Sequence, residues 1–305
     1  MFDVLIITPL IFGDIIFTGL PGMPAPGQEF YSQGFGFGPG GLGGNSGIAL
    51  SRLGMRTGLI SRVGHDPLGD VLCSMLEAEG VDVSHVLRMD SMPTAVSVAL
   101  SFSHDRCFVT YPHPSYVTEP MPIDFEFVKQ ARHVLVSGPD LTSEEFSRIR
   151  SMGIGITLDV GWDATKEPRR VLDLLPFVDI FVPNELEACR LTDTSDPRDA
   201  LEVLSHYVSL PVIKLGPRGS IALKDGRLIE VPSIEVEPVD TTGAGDVFAA
   251  GLLYGYLHGW SMERCLRLAN VCGALSTQGT GGGCSAPQWR DIYKVAPDLL
   301  TVSVL

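Results

Sequence analysis

We predict an α/β fold for this 305-residue chain, with a mainly parallel central sheet that helices cover on both faces. From about residue 124 onward, short strand-like runs alternate with helical stretches. Strands that are separated by helices form βαβ units, in which the strands pair in parallel. The run Val-Leu-Ile-Ile at 4–7 is wholly apolar, which is typical of a strand buried on both faces. Both observations place the sheet at the centre of the molecule.

The N-terminal third contains less regular elements. The apolar stretch 1–16 is predicted to be a first core strand, and the stretch 19–44, dense in glycine and proline, has the composition of a loop. In 94–111, apolar and polar residues alternate on both sides of the sequence Ser-His-Asp at 103–105. This alternation predicts two strands joined by a turn.

The later elements follow in a regular order. Strands are predicted at 134–136, 156–159, 180–182 and 212–215, and helices near 143–151, 167–175, 184–191, 197–208, 244–258, 262–277 and 287–295. Asp159 and Asn184 fall at the carboxyl ends of their strands, where open α/β sheets bind ligands. Because no linker-like segment divides the chain, residues 1–305 are predicted to form a single domain.

Composition excludes some classes of function. The chain has 36 acidic and 22 basic side chains and a formal net charge of −14. A nucleic-acid surface needs basic patches that displace counterions from phosphates, so we expect no nucleic-acid partner. A site for a polyanionic ligand would need local positive charge from backbone amides, a cation and a few basic side chains.

Cysteine usage and hydropathy indicate a cytoplasmic protein. The six cysteines include no C-x-x-C pair, so we expect reduced thiols and neither a disulfide framework nor a zinc site. The apolar stretch 1–16 lacks the basic start and small-residue cleavage site of a signal peptide. Apolar runs stay well short of the ~20 residues of a membrane span, so no membrane partner is expected.

The most informative segment is Asp-Thr-Thr-Gly-Ala-Gly-Asp at 240–246, which runs into a series of small and apolar residues. Its glycines allow a sharp turn with exposed N–H groups, and the following residues predict a helix that begins there. Free amides at a helix N-terminus attract phosphate or a developing anion. Asp246 at the rim of such a site suggests a base that deprotonates an attacking nucleophile. The alternative is an Asp that only caps the helix.

The same segment resembles the signature D-T-x-G-A-G-D of the ribokinase-like (PfkB) carbohydrate kinases. Further matches occur in the family's order. Residues 40–47, followed by Leu53-Gly54, are similar to G-G-x-x-x-N-x-A…L-G, and residues 63–69 to V-G-x-D-x-x-G. Residues 184–187 are similar to N-x-x-E, and residues 214–219 to the nucleotide loop L-G-x-x-G. Together these matches cover nearly the whole chain.

The resemblance implies a ribokinase-like three-layer α/β/α fold with a small β-sheet lid. The lid would be formed by about 14–38 and 94–115, with two of its strands in the stretch 19–44. The implied activity is ATP-dependent phosphorylation of a primary hydroxyl of a small sugar or sugar acid. ATP and Mg²⁺ are the implied cofactors, together with K⁺ as a candidate.

The resemblance also implies the reacting groups. Asp246 would be the catalytic base, and the amides of Gly243, Ala244 and Gly245 would stabilise the transferred group. The implied sugar-binding residues are Asp14, Gly40, Gly41, Asn45, Arg106 and Asp246. From the residues alone, Asp14 could equally lie in a turn, Asn45 could cap a helix, and Arg106 could be a solvated hairpin charge.

On the nucleotide side, the implied ATP-binding residues are Asn184, Lys214, Gly216, Gly219, Thr242, Gly243, Gly245 and Asn270. Glu187 lies three residues after Asn184, so the two share one helix face. The family uses this pair near Mg²⁺, mostly through water, whereas a capping box explains the same spacing. Asp240 and Thr242 occupy the positions where relatives place K⁺.

Two departures from the family pattern leave the substrate open. Leu42 replaces the usual ribokinase Lys, and Gly47 replaces a small Ala. A sugar, a sugar acid or a nucleoside therefore remains a candidate. A nucleoside kinase would use lid aromatics for stacking, of which Phe30, Phe35, Phe37 and Tyr111 are available. A catalytically silent sugar-binding regulator is the alternative outside enzymes.

The lid segments also bear on assembly. The stretches 19–38 and 94–111 each carry too little apolar surface to fold alone, so we expect them to pair into one sheet over the sugar. Such a sheet leaves an apolar face and an open edge, which proteins normally cover. A second copy of the lid is the simplest cover, which predicts a homodimer through the lid.

Overall fold

The computed structural model describes residues 1–102, 106–119, 121–138, 141–161 and 165–300. The strands are β1 Phe2–Ile7, β2 Phe12–Thr18, β3 Gly34–Gly40, β4 Thr57–Gly64, β5 Asp82–Met89, β6 Ala95–Ser101, β7 Arg106–Tyr111, β8 Ala131–Ser137, β9 Gly155–Asp159, β10 Ile180–Phe181, β11 Leu210–Lys214, β12 Ser220–Lys224 and β13 Arg227–Val231. The helices are α1 Gly41–Arg52, α2 Pro67–Ala78, α3 Ser115–Thr118, α4 Phe125–Val128, α5 Ser143–Ser151, α6 Pro168–Leu174, α7 Glu185–Thr192, α8 Pro197–Leu204, α9 Ala244–Leu257, α10 Met262–Ser276 and α11 Trp289–Val295.

The large sheet has nine strands in the order β13-β12-β11-β10-β9-β8-β1-β4-β5. Its neighbours pair in parallel from β11 to β5, whereas β12 and β13 extend one edge as antiparallel strands. This arrangement confirms the predicted mainly parallel sheet. The strands β4, β5, β12 and β13 and the helices α1 and α2 were not among the elements predicted from the sequence.

Two apolar cores cover the two faces of this sheet. Successive side chains of a strand point to opposite faces, and β1 shows the result directly. Val4 and Ile6 pack into the core shared with α1, α9 and α10, while Leu5 and Ile7 pack into the core shared with α5, α7 and α8. The three-layer α/β/α arrangement is therefore confirmed.

The small sheet is the predicted lid, with strand order β3-β2-β6-β7. The pairs β2–β3 and β6–β7 are antiparallel, and β2–β6 is parallel. The stretches 19–38 and 94–111 were expected to pair into one sheet, and they do contribute β3 and the pair β6–β7 to the same sheet. They do not pair directly, because β2 lies between them. The turn predicted at 103–105 lies outside the described residues.

Two boundary predictions in this region were wrong. The stretch 1–16 was predicted as one core strand, but it divides into β1 and β2 around Pro9. Proline has no N–H to donate to a ladder, so the chain leaves the large sheet there. The stretch 19–44 was expected to supply two lid strands, but it contains β3, whereas β2 precedes it.

Across the described ranges, the structure contains no helix that is both long enough and apolar enough to span a membrane. All six cysteines are free thiols.

Candidate active site

The site is built around the turn that starts α9. Gly243 is the N-cap residue of this helix and has a φ of 68°, in the left-handed region that favours glycine. A Cβ atom on Gly243 would lie 2.7 Å from the Cα of Gly282 and 2.8 Å from Nδ2 of Asn45. Both conformation and space therefore require glycine here. Ala244 and Gly245 continue the turn, and all three residues line a cavity.

Asp246 follows this turn in the first turn of α9, and its side chain is buried. Asn45 donates a hydrogen bond from Nδ2 to Oδ2 of Asp246 at 2.8 Å. The Oδ1 atom of Asn45 in turn accepts a hydrogen bond from the N–H of Gly283 at 2.7 Å. These two bonds fix the orientation of the Asn45 amide and, through it, that of the Asp246 carboxyl group. Asn45 lies inside α1, whose N-cap is Gly40, so it does not cap a helix.

The surroundings of Asp246 make its carboxyl group a weaker acid than that of an ordinary aspartate. Burial and repulsion from Asp159 raise its pKa from the usual 3.8 to about 8, against the lowering effects of the Asn45 hydrogen bond and of Lys214. A general base works best when its pKa lies close to the working pH. The ionised form of Asp246 is therefore a stronger base than the carboxylate of an ordinary aspartate.

Lys214 lies beside the same turn, at the end of β11. Its ammonium forms an ion pair with both carboxylate oxygens of Asp159, at 2.9 and 3.0 Å. A Cβ atom on Gly245 would lie 3.2 Å from Nζ of Lys214, so this charge is adjacent to the predicted anion site. Although burial lowers the pKa of Lys214, the Asp159 and Glu187 carboxylates outweigh it and raise that pKa. Lys214 therefore remains positively charged.

Asp159 was not predicted to belong to the site, although its position at the carboxyl end of a strand was noted. The backbone of residues 281–283 holds Asn45 and Asp240, and these contacts were not predicted from the sequence. A glycine-rich run at 279–283 was the available signal. The residues that this run contacts, Asn45 and Asp240, lie far away in sequence, and no local pattern identifies them.

Asp14 lies on the lid strand β2. It is buried, and a Cβ atom on the facing Gly40 would overlap its carboxyl group. Gly40 is therefore required for Asp14 to fit between the lid and α1. Burial, together with repulsion from Asp240, raises the pKa of Asp14 to about 7.

A cavity of about 250 Å³ lies between the lid and the N-terminus of α9. We call it the lid cavity. It is lined by Phe12, Asp14, Gly41, Leu42, Asn45, Ser97, Phe108, Thr110, Thr242, Gly243 and Asp246. The aromatics suggested for nucleoside stacking, Phe30, Phe35, Phe37 and Tyr111, are not part of this lining, whereas Phe12 and Phe108 are. Strand alternation places Phe35 and Phe37 on the lid face opposite to Asp14.

A larger cavity of about 1150 Å³ extends from the turn towards β12, β13 and α10. We call it the nucleotide cavity. Its lining includes seven of the predicted ATP-binding residues, namely Asn184, Lys214, Gly216, Gly219, Gly243, Gly245 and Asn270. The eighth, Thr242, lines the lid cavity instead. Asp246 and Gly243 line both cavities, so the carboxyl group stands at their junction.

Asn184 and Glu187 form a reciprocal capping box at the start of α7. The Asn184 side chain accepts from the Glu187 N–H at 2.9 Å, and the Glu187 carboxylate accepts from the Asn184 N–H at 2.8 Å. Both residues also line the nucleotide cavity. Burial raises the pKa of Glu187 to about 7, although Lys214 acts against this. The structural role and a role near a ligand are compatible.

Asp240 precedes the turn at 243–245 and accepts hydrogen bonds from two segments of the chain. Its Oδ1 atom accepts hydrogen bonds from the N–H (3.0 Å) and the hydroxyl (2.7 Å) of Thr242, and its Oδ2 atom accepts from the N–H of Gly281 at 3.0 Å. These contacts join the turn to the 279–286 loop. The suggested K⁺ role of Asp240 and Thr242 stays a prediction.

The guanidinium of Arg106 contacts the hydroxyl of Thr241. Arg106 lines the nucleotide cavity and is not among the residues that line the lid cavity. Asn270 donates to the carbonyls of Val231 (2.9 Å) and Pro232 (3.3 Å), so it holds the chain after β13 against α10.

Comparisons with known proteins agree with this fold and site. The family model for pfkB family carbohydrate kinases matches residues 20–289. The chain is 31% identical over 262 residues to 2-dehydro-3-deoxygluconokinase from Bacillus subtilis, which covers 78% of this chain and 80% of that protein. It is 29% identical over 271 residues to aminoimidazole riboside kinase from Salmonella typhimurium, covering 82% of this chain and 85% of the relative.

A solved structure gives the same picture. Arabidopsis thaliana ribokinase, complexed with ribose and ATP, superposes with a TM-score of 0.80 at 26% identity. The superposition covers 99% of this chain and all of the ribokinase chain. The names of these relatives include a sugar, a sugar acid and a riboside, so similarity alone does not identify the acceptor.

Proposed function

The chain belongs to the PfkB family of carbohydrate kinases, and we propose that it transfers the γ-phosphoryl group of ATP to a primary hydroxyl of a small sugar or sugar acid. The observation that carries this proposal is the position of Asp246 at the junction of the two cavities. A group at that point can reach a hydroxyl bound under the lid and the terminal phosphate of a nucleotide on the other side.

Asp246 acts as the general base in this proposal. It accepts the proton of the primary hydroxyl as the oxygen attacks the γ-phosphorus, and the bond from that phosphorus to the leaving β–γ bridging oxygen breaks. Asn45 keeps the carboxyl group aimed at the lid cavity through its hydrogen bond. The pKa of about 8 gives the carboxylate enough basicity to take the proton near neutral pH.

The turn at Gly243, Ala244 and Gly245 and the Lys214 ammonium stabilise the transferred group. The helix N-terminus supplies N–H donors and the positive end of the helix dipole. Lys214 adds a full charge beside Gly245. Because both are in place before reaction, they stabilise the charge on the phosphoryl oxygens without reorganisation.

The donor set fits Mg²⁺ held mainly by phosphate and water. Within the described part of the chain, no group of three His, Cys, Asp or Glu side chains is arranged to hold a metal directly. Glu187 lines the nucleotide cavity, and its carboxylate would hold a water ligand of the ion. Mg²⁺ keeps several of its waters in such sites, and when bound it would neutralise charge on the transferred phosphate.

The lid residues would hold the acceptor. Asp14 offers carboxylate oxygens to adjacent sugar hydroxyls, and Asn45 and the backbone at Gly40 and Gly41 lie close to the same space. A nucleoside kinase remains the second candidate, because Phe12 and Phe108 line the lid cavity and could stack on a base. A silent sugar-binding regulator is disfavoured, since a binder gains nothing from a base beside an anion turn.

We further propose that two copies of the chain associate through the outer face of the lid. Ile15, Val98 and Val109 lie side by side across three strands on the face opposite to Asp14. Phe35 and Phe17 extend the same face, with ring centroids 5.8 Å apart. Val109 and Phe35, which lie on the two edge strands of the lid, are 62% and 64% exposed. A second lid related by a two-fold axis would cover them.

Sedimentation analysis tests this assembly. The native chain should sediment as a dimer at micromolar concentration, and Val109→Asp should sediment as a monomer. Sugar should also slow proteolytic cleavage of the lid, because closure over the ligand orders it. A native monomer with sugar-independent cleavage would contradict the proposal.

A panel of sugars, sugar acids and nucleosides, assayed by ATP-dependent release of ADP, tests the catalytic function. We expect phosphorylation of at least one acceptor that carries a primary hydroxyl, and its loss in Asp246→Asn. Tight binding of a sugar without any ADP release would instead support the silent regulator. A preference for nucleosides would support the second candidate.

A further inference from the structure

The two cavities differ in their basic side chains. Arg106 and Lys214 line the nucleotide cavity together with the anion turn, although its lining also includes the carboxyl groups of Asp159, Glu187, Glu235, Glu237 and Asp246. The lid cavity is lined by the carboxyl groups of Asp14 and Asp246 and, among the described residues, by no Lys, Arg or His. Among the described residues that line the two cavities, basic side chains therefore occur only on the nucleotide side of the junction.

We infer that the acceptor is an uncharged polyol and that the lid cavity discriminates against sugar acids. This inference rests on the proposed kinase function and names the class of substrate within it. A sugar carboxylate placed in the lid cavity would meet two acidic side chains and would lose its hydration without gaining a cationic partner.

The polar groups of the lid cavity suit hydroxyl groups. Asp14 can accept hydrogen bonds from two adjacent hydroxyls, and Oδ1 of Asp246, whose other oxygen accepts from Asn45, can accept one more. Ser97 and Thr110 form a cross-strand hydroxyl pair at 2.9 Å, and each hydroxyl group can both donate and accept.

The electrostatics of Asp14 support this reading. Its pKa is raised by burial and by Asp240, and Asp14 in turn helps to raise the pKa of Asp246. Ionisation of these two carboxyl groups is therefore already unfavourable before any ligand binds. An additional carboxylate would increase the same repulsion.

Arg106 is the described lid cation that could oppose this inference. Its guanidinium contacts Thr241 and lies 5.5 Å from the centre of the Phe108 ring. Phe108 also lines the lid cavity, so Arg106 stands close to the boundary. It would have to leave the nucleotide side to bind a sugar carboxylate.

The test rests on one pair of acceptors, gluconate and gluconamide, that are nearly identical in shape and differ in charge. The values of kcat/KM for gluconate and gluconamide are compared by ADP release, alongside 2-dehydro-3-deoxygluconate, ribose and fructose, and binding of each compound is measured by calorimetry. We expect the best neutral acceptor to exceed the best acid by at least about 100-fold, and gluconamide to bind more tightly than gluconate. An acid within tenfold of the best neutral acceptor overturns the inference, as does tighter binding of gluconate.

Two variants sharpen this test. Asp14→Asn should reduce the preference for neutral acceptors by about tenfold, because it removes one negative charge from the lid cavity. Asp90→Asn makes the same change at a side chain that is 90% exposed and should leave the preference unchanged. If the native chain does use an acid and Arg106→Gln abolishes that use, Arg106 is the carboxylate partner. If no acceptor is phosphorylated, the proposed kinase function is rejected. The binding affinities for neutral and acidic compounds, measured by calorimetry, still test whether the lid cavity discriminates against sugar acids.

A separate set of contacts connects Arg52 to the catalytic base. Arg52 forms a two-pronged ion pair with Glu79, at 2.7 and 2.8 Å. Its Nη1 atom also donates to the carbonyls of Cys284 (3.0 Å) and Ala286 (2.7 Å). The loop held in this way carries Gly283, whose N–H orients Asn45.

We propose that Arg52 is a positioning residue for Asp246, acting through residues 283–286 and Asn45. Arg52→Lys keeps the charge but has a single nitrogen, so it cannot reproduce the contacts that three nitrogens of Arg52 make with Glu79 and the two carbonyls. We therefore expect kcat to fall about tenfold with the sugar and ATP KM values unchanged. Arg56→Lys, on the exposed ion pair with Asp3, is the matched control and should keep native kcat. A merely structural Arg52 would lower the melting temperature and leave the kcat of the folded enzyme unchanged, which contradicts the proposal.

Discussion

Asp246→Asn should remove catalysis and at the same time stabilise the protein. The native carboxyl group is buried, and its pKa rises from 3.8 to about 8. When folding raises the pKa of an acidic group, its contribution to stability is greatest below the pKa of the unfolded state. That contribution decreases as the pH rises towards the pKa of the folded state. Between pH 3.8 and 7 the native protein loses about 1.4 kcal/mol per pH unit, or about 4 kcal/mol in total.

Asparagine has nearly the same shape and does not ionise, so it avoids this cost. The side-chain oxygen of the new asparagine can still accept the hydrogen bond from Asn45. Its N–H group must be buried, however, and this costs about 1–2 kcal/mol of the gain in stability. The net gain at pH 7 is then about 2–3 kcal/mol. With an unfolding entropy of about 2.1 cal/mol/K per residue, this gain corresponds in a chain of 305 residues to a rise of about 3–5 °C in melting temperature.

Catalysis should change in the opposite direction. Removal of a general base lowers kcat by about 10²–10⁴-fold, while the KM values for sugar and ATP stay close to native. The measurements are ADP release and thermal unfolding of both proteins at pH 5 and pH 8. The advantage of the variant in melting temperature should be larger at pH 8, because the native cost grows with pH over this range.

Asp90→Asn serves as the control, since its side chain is exposed and it should change neither property. A variant with kcat within tenfold of native would refute the role of Asp246 as the base. A variant that is less stable than the native protein at pH 8 would refute the electrostatic reasoning and make Asp246 a structural residue.

The remaining predictions concern the acceptor, the anion turn and its cation. Asp14→Ala should raise the sugar KM by about 10–100-fold without changing ATP binding, because a hydroxyl loses a charged acceptor worth about 1.5–3 kcal/mol; unchanged sugar affinity measured by calorimetry would make Asp14 a structural residue of the lid. Gly243→Ala should lower kcat more than tenfold, because the added Cβ would collide with Gly282 and Asn45, whereas Gly22→Ala, with nothing within 4 Å of its Cβ position, should leave kcat unchanged. Lys214→Met should lower kcat/KM for ATP by at least about tenfold through the loss of a charge beside the transferred phosphate; native kinetics would show that the ion pair with Asp159 is only structural.

Local features of the site could be predicted from consecutive residues. The turn at 243–245 requires glycine because of its own backbone, and the helix that follows begins where small residues start. The capping box of Asn184 and Glu187 depends on two residues of the same turn, so spacing alone was sufficient. The parallel sheet was predictable for the same reason, since each strand and helix of the later βαβ units carries its own pattern of burial.

Only the tertiary structure decided which of these segments meet. Asn45 and Asp246 are 201 positions apart in the chain, and Lys214 lies 55 positions from Asp159. No local pattern encodes such contacts, because they arise from the order of strands in the sheet and from the packing of α1 against α9. The same packing placed Asp14 on a lid strand instead of a core strand and directed Arg106 to the nucleotide cavity. The lack of basic side chains in the described lining of the lid cavity is therefore a property of the folded chain, because side chains from distant segments form that lining together.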